Sequence, residues 1–318
     1  MLKFKNNSSP QSAKVILFNA ASICNKVHEL SLLVATEKPD LVAVTETNCN
    51  TSIHDSLLHM KGYDLIRCDR HQGSKGGVLL LVRSTVAVCS IVLMAHPSGT
   101  WEALKCDLQF TDNTLRVACI YRSPGNMDHN TENDFLTFFN SIIPNNSRKK
   151  ILIVGDFNFP NIDWSSLLVT KSSPTLATPF LDTVLNAALT QHVNFPTRFR
   201  TGNTPSLLDL VLTNTSLNVS TIEAHPPVGK SDHVVIMFTL PISVVLHESS
   251  TARLNYSKAD LILIDSMLAS IDWTDELSEL SAEASLAVLD NFLNDLRDFY
   301  VPLTKSTKQQ YPDGLITK

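Results

Sequence analysis

The chain has 318 residues, 43% hydrophobic and 18% charged, with a formal net charge of −5 at pH 7. That balance excludes collagen-like, disordered and disulfide-dense classes and fits one globular domain, or one domain with an appendage. An acidic balance argues against an indiscriminate nucleic-acid coat protein, but it does not exclude an enzyme that meets phosphates through a divalent cation gathered by its carboxylates.

The polar N-terminus, with Asn6-Asn7-Ser8-Ser9-Pro10, lacks the apolar core of a secretory signal. No apolar run approaches the roughly 18 residues of a membrane span. Six cysteines (Cys24, Cys49, Cys68, Cys89, Cys106, Cys119) are scattered without CxxC spacing and read as reduced, mostly buried thiols. The expected location is intracellular, nuclear or cytoplasmic, and the chain is not expected to be secreted.

Along the chain, Lys14–Phe18 reads as a strand ending at Asn19, and Val27–Thr36 as a helix stopped by Pro39. Asp40–Val44 is a second buried strand, followed at once by Glu46. Gly76-Gly77 introduces a strand over Val78–Val82, and β character continues from Val86 to Met94. Trp101–Phe110 and Leu115–Tyr121 form a hairpin pair around Asp112-Asn113. Phe135–Ile143 is helical in pattern and Ile151–Val154 reads as a central strand. Leu207–Leu212 and Val234–Leu240 complete the set. Strands outnumber helices, and polar residues recur just past their ends, where a rigid scaffold often places chemistry. The pattern predicts an α+β fold, a sandwich of two sheets with helices outside. A doubly wound α/β sheet is the runner-up, without a glycine-rich nucleotide fingerprint to support it.

Composition shifts after Pro241. The expected division is a catalytic domain over 13–243, a linker over 244–256, a helical appendage over 257–303 and a tail over 304–318. Leu286, Leu289, Leu293 and Leu296 recur at helical spacing in the appendage and make one apolar stripe.

The strongest local signal is Ile151-Leu-Ile-Val-Gly-Asp156-Phe-Asn158-Phe-Pro160. If the strand persists through Phe157, Asp156 and Asn158 face one side, an acid able to accept a proton beside an amide able to donate. The plainer alternative is a strand-to-turn junction where both merely cap the backbone. Ser231-Asp232-His233 precedes an apolar strand, and a histidine there can move protons near pH 7. Asp209 interrupts an apolar run, where a carboxylate is costly unless paired, and His233 is its natural partner. A pairing to backbone amides is the plainer reading. Glu46, helped by Asn19 and Asp232, offers the sparse oxygen set that Mg²⁺ accepts, while no His/Cys cluster has zinc spacing.

Asn19, Glu46, Tyr121, Gly155-Asp156-Phe157-Asn158, Ser206-x-x-Asp209 and Ser231-Asp232-His233 occur in an order that resembles the endonuclease/exonuclease/phosphatase superfamily, over about 14–242. The wording of GDFNFPNIDW (155–164), of Asn194-Phe-Pro-Thr197-Arg with Leu208–Asn214, and of KSDH (230–233) is closest to endonuclease domains of non-LTR retrotransposon polyproteins. The resemblance implies the four-layer α/β/β/α sandwich of the deoxyribonuclease I-like type with a C-terminal helical appendage. It also implies Mg²⁺ (or Mn²⁺) dependence and nicking of double-stranded DNA to 3′-hydroxyl and 5′-phosphate ends. Catalytic roles fall on Asp156, Asn158, Asp209, His233 and Tyr121, with Glu46, Asn19 and Asp232 at the metal. Substrate contacts fall on Arg122, Thr197, Arg198, Ser206 and Ser231, with Arg200 and Lys230 as further phosphate candidates. A hairpin over Thr197–Pro205 would probe the DNA groove, although the residues themselves indicate only a turn at Gly202-Asn203. A reverse transcriptase half of a longer polyprotein is the implied partner, and no membrane is. The sequence departs from the pattern at Ala20, where relatives often carry a basic residue. Open alternatives are an abasic-site repair endonuclease, a phosphatase or phospholipid phosphodiesterase of the same fold, and a catalytically inactive binding remnant.

Overall fold

The computed structural model describes residues 12–71, 75–110, 114–125, 127–143, 149–170, 176–242, 253–278 and 280–304. The described residues fall into two compact units, one within 1–245 and one within 246–318.

In the first unit, β1 (Ala13–Asn19) leads into helix α1 (Val27–Glu37) and β2 (Leu41–Thr45), then β3 (Tyr63–Cys68) and β4 (Val78–Arg83). β5 (Ala87–Ala95), β6 (Trp101–Gln109) and β7 (Thr114–Arg122) follow, then α2 (His129–Ile142) and β8 (Lys150–Asp156). A short ribbon, β9 (Ile162–Asp163) with β10 (Leu168–Val169), precedes α3 (Ala177–Asn186), β11 (Leu189–Gln191), β12 (Asp209–Asn214), β13 (Thr221–His225) and β14 (Val235–Leu240). One six-stranded sheet runs β13-β14-β1-β2-β4-β3 and the other β11-β12-β8-β7-β6-β5. β1 with β2 and β7 with β8 are parallel pairs, and helices α1 and α2 lie in the connections between their strands.

The strands are apolar on both faces because both faces are covered. Along β1, Val15 and Leu17 pack into the core that also holds Val117, Val154, Val211 and Phe238. Ile16 and Phe18 point the other way and pack with Leu30 and Val34 of α1. The outer face of the second sheet buries Ile120, Ile153 and Leu210 against Phe135 and Phe139 of α2 and Phe180 of α3. Period-two alternation therefore yields four layers, helix, sheet, sheet and helix. The expected four-layer sandwich is the observed one.

Several elements differ from expectation. Helix α2 begins six residues before Phe135, because Asp128 accepts the Asn130 and Thr131 N–H groups, each at 3.0 Å. Helix α1 reaches Glu37 and is closed by Lys38 in the left-handed region, φ 47°. β3 and α3 were not anticipated, and Asp112-Asn113 lies outside the described residues. Asp209 starts β12 and does not interrupt it.

The second unit contains β15 (Arg253–Leu254), α4 (Leu261–Ala269), α5 (Trp273–Leu277), α6 (Ala282–Tyr300) and β16 (Leu303–Thr304), with β15 and β16 antiparallel. Of the leucine stripe on α6, Leu296 is buried while Leu286 and Leu293 are exposed. Trp273 meets Phe292 edge-on, with ring centroids 5.3 Å apart. Among the described residues no helix is long and apolar enough to cross a membrane. All six cysteines are free, four of them buried.

Candidate active site

The ends of β1, β2, β7 and β8 and the starts of β12 and β14 gather most of the polar residues singled out above. Register brings them together, since Asp156 is opposite Tyr121 on one side and opposite Asp209 on the other. Gly155 is required for this approach. Its φ is +145°, and a Cβ there would lie 1.8 Å from the Ile120 carbonyl oxygen.

Asp156 has no exposed surface. Its Oδ2 accepts from Asn19 Nδ2 at 2.8 Å, and its Oδ1 accepts from the Asn158 N–H at 3.1 Å. Asp209 Oδ2 is 2.7 Å from His233 Nδ1, and His233 Nε2 is 4.0 Å from Asp156 Oδ2. The predicted Asp209–His233 partnership is therefore present in the structure. Burial pushes the Asp156 carboxyl well above the usual carboxylate range, and the Asp209 charge adds to that while His233 opposes it. Burial pulls His233 down, but Asp209, Asp156 and Asp232 together outweigh it and raise the imidazole to about 9. The cluster thus holds a proton on the histidine at neutral pH.

Glu46 follows β2 in the left-handed region, φ 48°, where a non-glycine residue is uncommon. Its Oε1 accepts from the Tyr121 hydroxyl at 2.8 Å. Burial first, then the neighbouring Glu46, pushes the phenol far above its ordinary value, so Tyr121 remains a donor.

The remaining candidates are placed as follows. Thr197 Oγ1 accepts the Leu208 and Asp209 N–H groups at 3.1 and 3.0 Å, which anchors the start of β12. Ser231 Oγ donates to the Asn19 carbonyl at 2.8 Å and accepts from the His233 N–H at 3.2 Å. Both hold the site together from behind. Arg198 and Ser206 form an isolated antiparallel bridge, and Asn203 N–H bonds the Arg200 carbonyl at 2.9 Å across the turn. Arg200 and Lys230 are exposed.

Three of the expected site residues have partners that the sequence did not show. Asn158 does not continue the strand face of Asp156, because β8 ends at Asp156 and Asn158 turns to φ 50°. Its amide donates to the Arg122 carbonyl at 2.8 Å. Arg122, expected at a phosphate, is buried. Its guanidinium donates to the carbonyls of Phe157, Asn158 and Gly125 at 2.7, 2.6 and 3.1 Å and stacks over the Phe159 ring. Basic residue type alone could not reveal that occupation. Asn19, expected at the metal, is fully buried with both ends engaged, since its Oδ1 also accepts the Ala21 N–H at 2.9 Å. It clamps Asp156.

A cation escaped the sequence reading. Lys26, at the entry to α1, is nearly buried, and its ammonium bonds the carbonyls of Ala20, Ala21 and Ser22. Burial lowers its pKa, against the attraction of Glu29, Asp232 and Glu46. Positive charge absent at Ala20 is thus supplied to the same loop from six residues on. In sequence it looks like any helix-entry lysine.

Two groups of donors are open to a divalent cation, and only the one around Glu46 leaves the proton on His233 in place. Asp156, Asp209 and His233 each offer one ligand-type atom, all within 4.8 Å of one another, and Asp209 Oδ1 is buried without a partner among the described residues. Glu46 is only half-buried, and among the described residues the one hydrogen bond its carboxylate accepts is from Tyr121. Asp232 is partly exposed and paired to Arg198 Nε at 3.0 Å. Oxygen donors of this kind suit hard cations.

The layered fold is the deoxyribonuclease I-like one seen in endonuclease/exonuclease/phosphatase proteins. More narrowly, residues 115–237 match the family model described as endonuclease-reverse transcriptase. The endonuclease domain of TRAS1, a telomere-specific non-LTR retrotransposon, superposes with a TM-score of 0.52 at 12% identity, over 72% of this chain and 98% of that one. A 3′ phosphatase, NExo from Neisseria, bound to product DNA hairpin, gives 0.56 at 15% identity, over 71% and 98%. The AP endonuclease LMAP from Leishmania major gives 0.55 at 17% identity, over 72% and 88%. At these identities the likeness is one of fold. No curated protein matches the chain.

Proposed function

We propose that this chain is a Mg²⁺-dependent endonuclease, retrotransposon-derived, that hydrolyses DNA phosphodiester bonds to leave 3′-hydroxyl and 5′-phosphate ends. The observation that carries the reading is the Asp209–His233–Asp156 cluster at the strand ends that also bear Glu46 and Tyr121. The match of residues 115–237 to the endonuclease-reverse transcriptase family supports DNA as the substrate.

Asp156, with its raised pKa, is suited to accept a proton from the attacking water near neutral pH. His233 carries a proton held by Asp209 and donates toward charge that develops on the phosphate. Tyr121 keeps its phenolic proton and donates to the same phosphate or the leaving oxygen. A bound Mg²⁺ (Mn²⁺ as substitute), held by Glu46 with Asp232 in support, would polarise the phosphate and stabilise the leaving 3′-oxygen. Lys26 fixes the loop beside these two carboxylates. The hydrogen-bonded Asp209–His233 pair is a proton-holding device, which favours Glu46 for the ion.

The test is a substrate panel. With Mg²⁺, supercoiled plasmid should be nicked and the new ends extended by a polymerase without phosphatase treatment, and chelator should stop the reaction. Strong preference for an abasic duplex, or turnover of 3′-phosphates or phospholipids with plasmid left intact, would replace the proposal with another activity of this fold. No turnover of any substrate would leave a binding remnant.

A further inference from the structure

Glu102, the second residue of β6, has no exposed surface. A buried charge is costly unless partners hold it. Arg70 supplies them, with Nε on Oε1 at 2.6 Å and Nη2 on Oε2 at 3.1 Å, and the Gly77 N–H adds a third at 2.9 Å. Glu102 is directly opposite Tyr121 across the β6–β7 ladder, so both side chains occupy one face.

Arg70 reaches Tyr121 by two routes. Its guanidinium carbon is 5.6 Å from the Tyr121 ring centroid. Its Nη2 also donates to Ser123 Oγ at 2.7 Å, and that hydroxyl lies beside the Tyr121 hydroxyl. A separate route leads to Glu46. The Thr47 and Asn48 N–H groups bond the carbonyls of Gly77 and Gly76 at 3.3 and 2.8 Å, and Asn48 Oδ1 accepts the Gly76 N–H at 2.8 Å. A Cβ at Gly76 would come within 2.5 Å of the Arg70 guanidinium, so the pair packs directly on this segment.

We propose that Arg70 and Glu102 are a positioning pair for the hydrolytic site, orienting the Tyr121 hydroxyl through Ser123 and bracing the loop that presents Glu46. Neither residue touches substrate in this role. The inference rests on the phosphodiesterase reading above, and it gives the buried pair a purpose other than stability. An apolar pair of similar volume would serve stability as well. The planar guanidinium fork makes both Glu102 contacts and the Ser123 contact at once, which a lysine ammonium does not reproduce.

The experiment uses the full chain with Arg70→Met, Arg70→Lys and Ser123→Ala, each alone and combined with Tyr121→Phe. Plasmid nicking gives kcat and KM, and electron paramagnetic resonance of free Mn²⁺ gives metal affinity without turnover. Arg70→Met should lower kcat about 10–100-fold and weaken Mn²⁺ binding, with KM little changed and no rescue by lysine. In the Tyr121→Phe background the same change should cost less than about threefold in kcat, because coupled residues are not additive. Ser123→Ala, which leaves the Arg70–Glu102 pair intact, should show the same dependence on Tyr121 and keeps the test alive if Arg70→Met does not fold. Equal losses in both backgrounds with unchanged Mn²⁺ affinity would overturn the proposal. If the unaltered chain cuts no phosphodiester, the functional reading fails instead. The Mn²⁺ comparison then decides the positioning claim, and undiminished affinity in Arg70→Met overturns it.

Discussion

The Asp156–Asp209–His233 side of the site and the Glu46–Tyr121 side meet at the same strand ends but are built differently. On the first side two carboxylates and an imidazole are at most 5% exposed at the side chain, and their mutual charges shift the protonation of Asp156 and His233. On the second side a half-buried carboxylate on a left-handed backbone shares one oxygen with a phenol. Burial without full compensation tunes proton transfer, whereas partial exposure leaves a carboxylate open to a hydrated ion. Mutations on the two sides should therefore fail in different ways.

The largest effect is expected at Asp156. Asp156→Ala should reduce nicking by about 10²–10⁴-fold at every Mg²⁺ concentration, since it removes acid–base help. A deficit that disappears at high Mg²⁺ would merge the two sides into one metal site. Next, Glu46→Gln should raise the Mg²⁺ needed for half-maximal rate by about 10–100-fold while leaving much of the rate at saturation.

The pH profile separates the sides further. The His233 pKa is raised, so its paired, protonated form is fully present below the ordinary imidazole value and is lost as pH rises through about 9. Activity should fall over that window. Asp209→Asn should move the falling limb down toward the ordinary value, because the Asp209 charge opposes the effect of burial. An unmoved limb would remove the histidine pair from the chemistry.

A smaller effect should appear in stability without metal. The Asp156 pKa is raised on folding, so its charged form costs stability above the ordinary carboxylate range and costs nothing below it. Asp156→Asn should stabilise the fold by about 1 kcal/mol at pH 8, roughly 2–4 °C in Tm, with the gain vanishing near pH 4. The smallest effect is expected at Arg198. Its ion pair with Asp232 is partly exposed on both sides, and Arg198→Ala should change stability by less than about 1 kcal/mol.

What could be read in the sequence follows the same physics. Asp156, Asp209 and His233 stand beside apolar runs, where a charged residue demands an explanation, and their pairing could be anticipated from chemistry alone. Glu102 also stands in an apolar run, but a single polar residue in a strand is ordinarily solvent-facing, and only the fold brings Arg70 and Gly77 onto this one and buries it. Arg122 and Lys26 were equally opaque, because the backbone carbonyls that receive them are set by turns at 125, 157–158 and 20–22. Asn158 follows the strand-to-turn alternative for a local reason, the chain leaving β conformation one residue sooner than a shared face with Asp156 requires. Helix α6 shows the reverse case. Its leucine spacing was plain, yet burial reaches Leu296 and not Leu286 or Leu293.

The most direct measurement is Mg²⁺-dependent nicking of supercoiled plasmid by the purified chain beside His233→Ala, with both shown to be folded by circular dichroism. The expected result is nicking by the unaltered chain that chelator stops, and a rate at least about 100-fold lower in the variant. Undiminished nicking by folded His233→Ala would contradict the site assigned here.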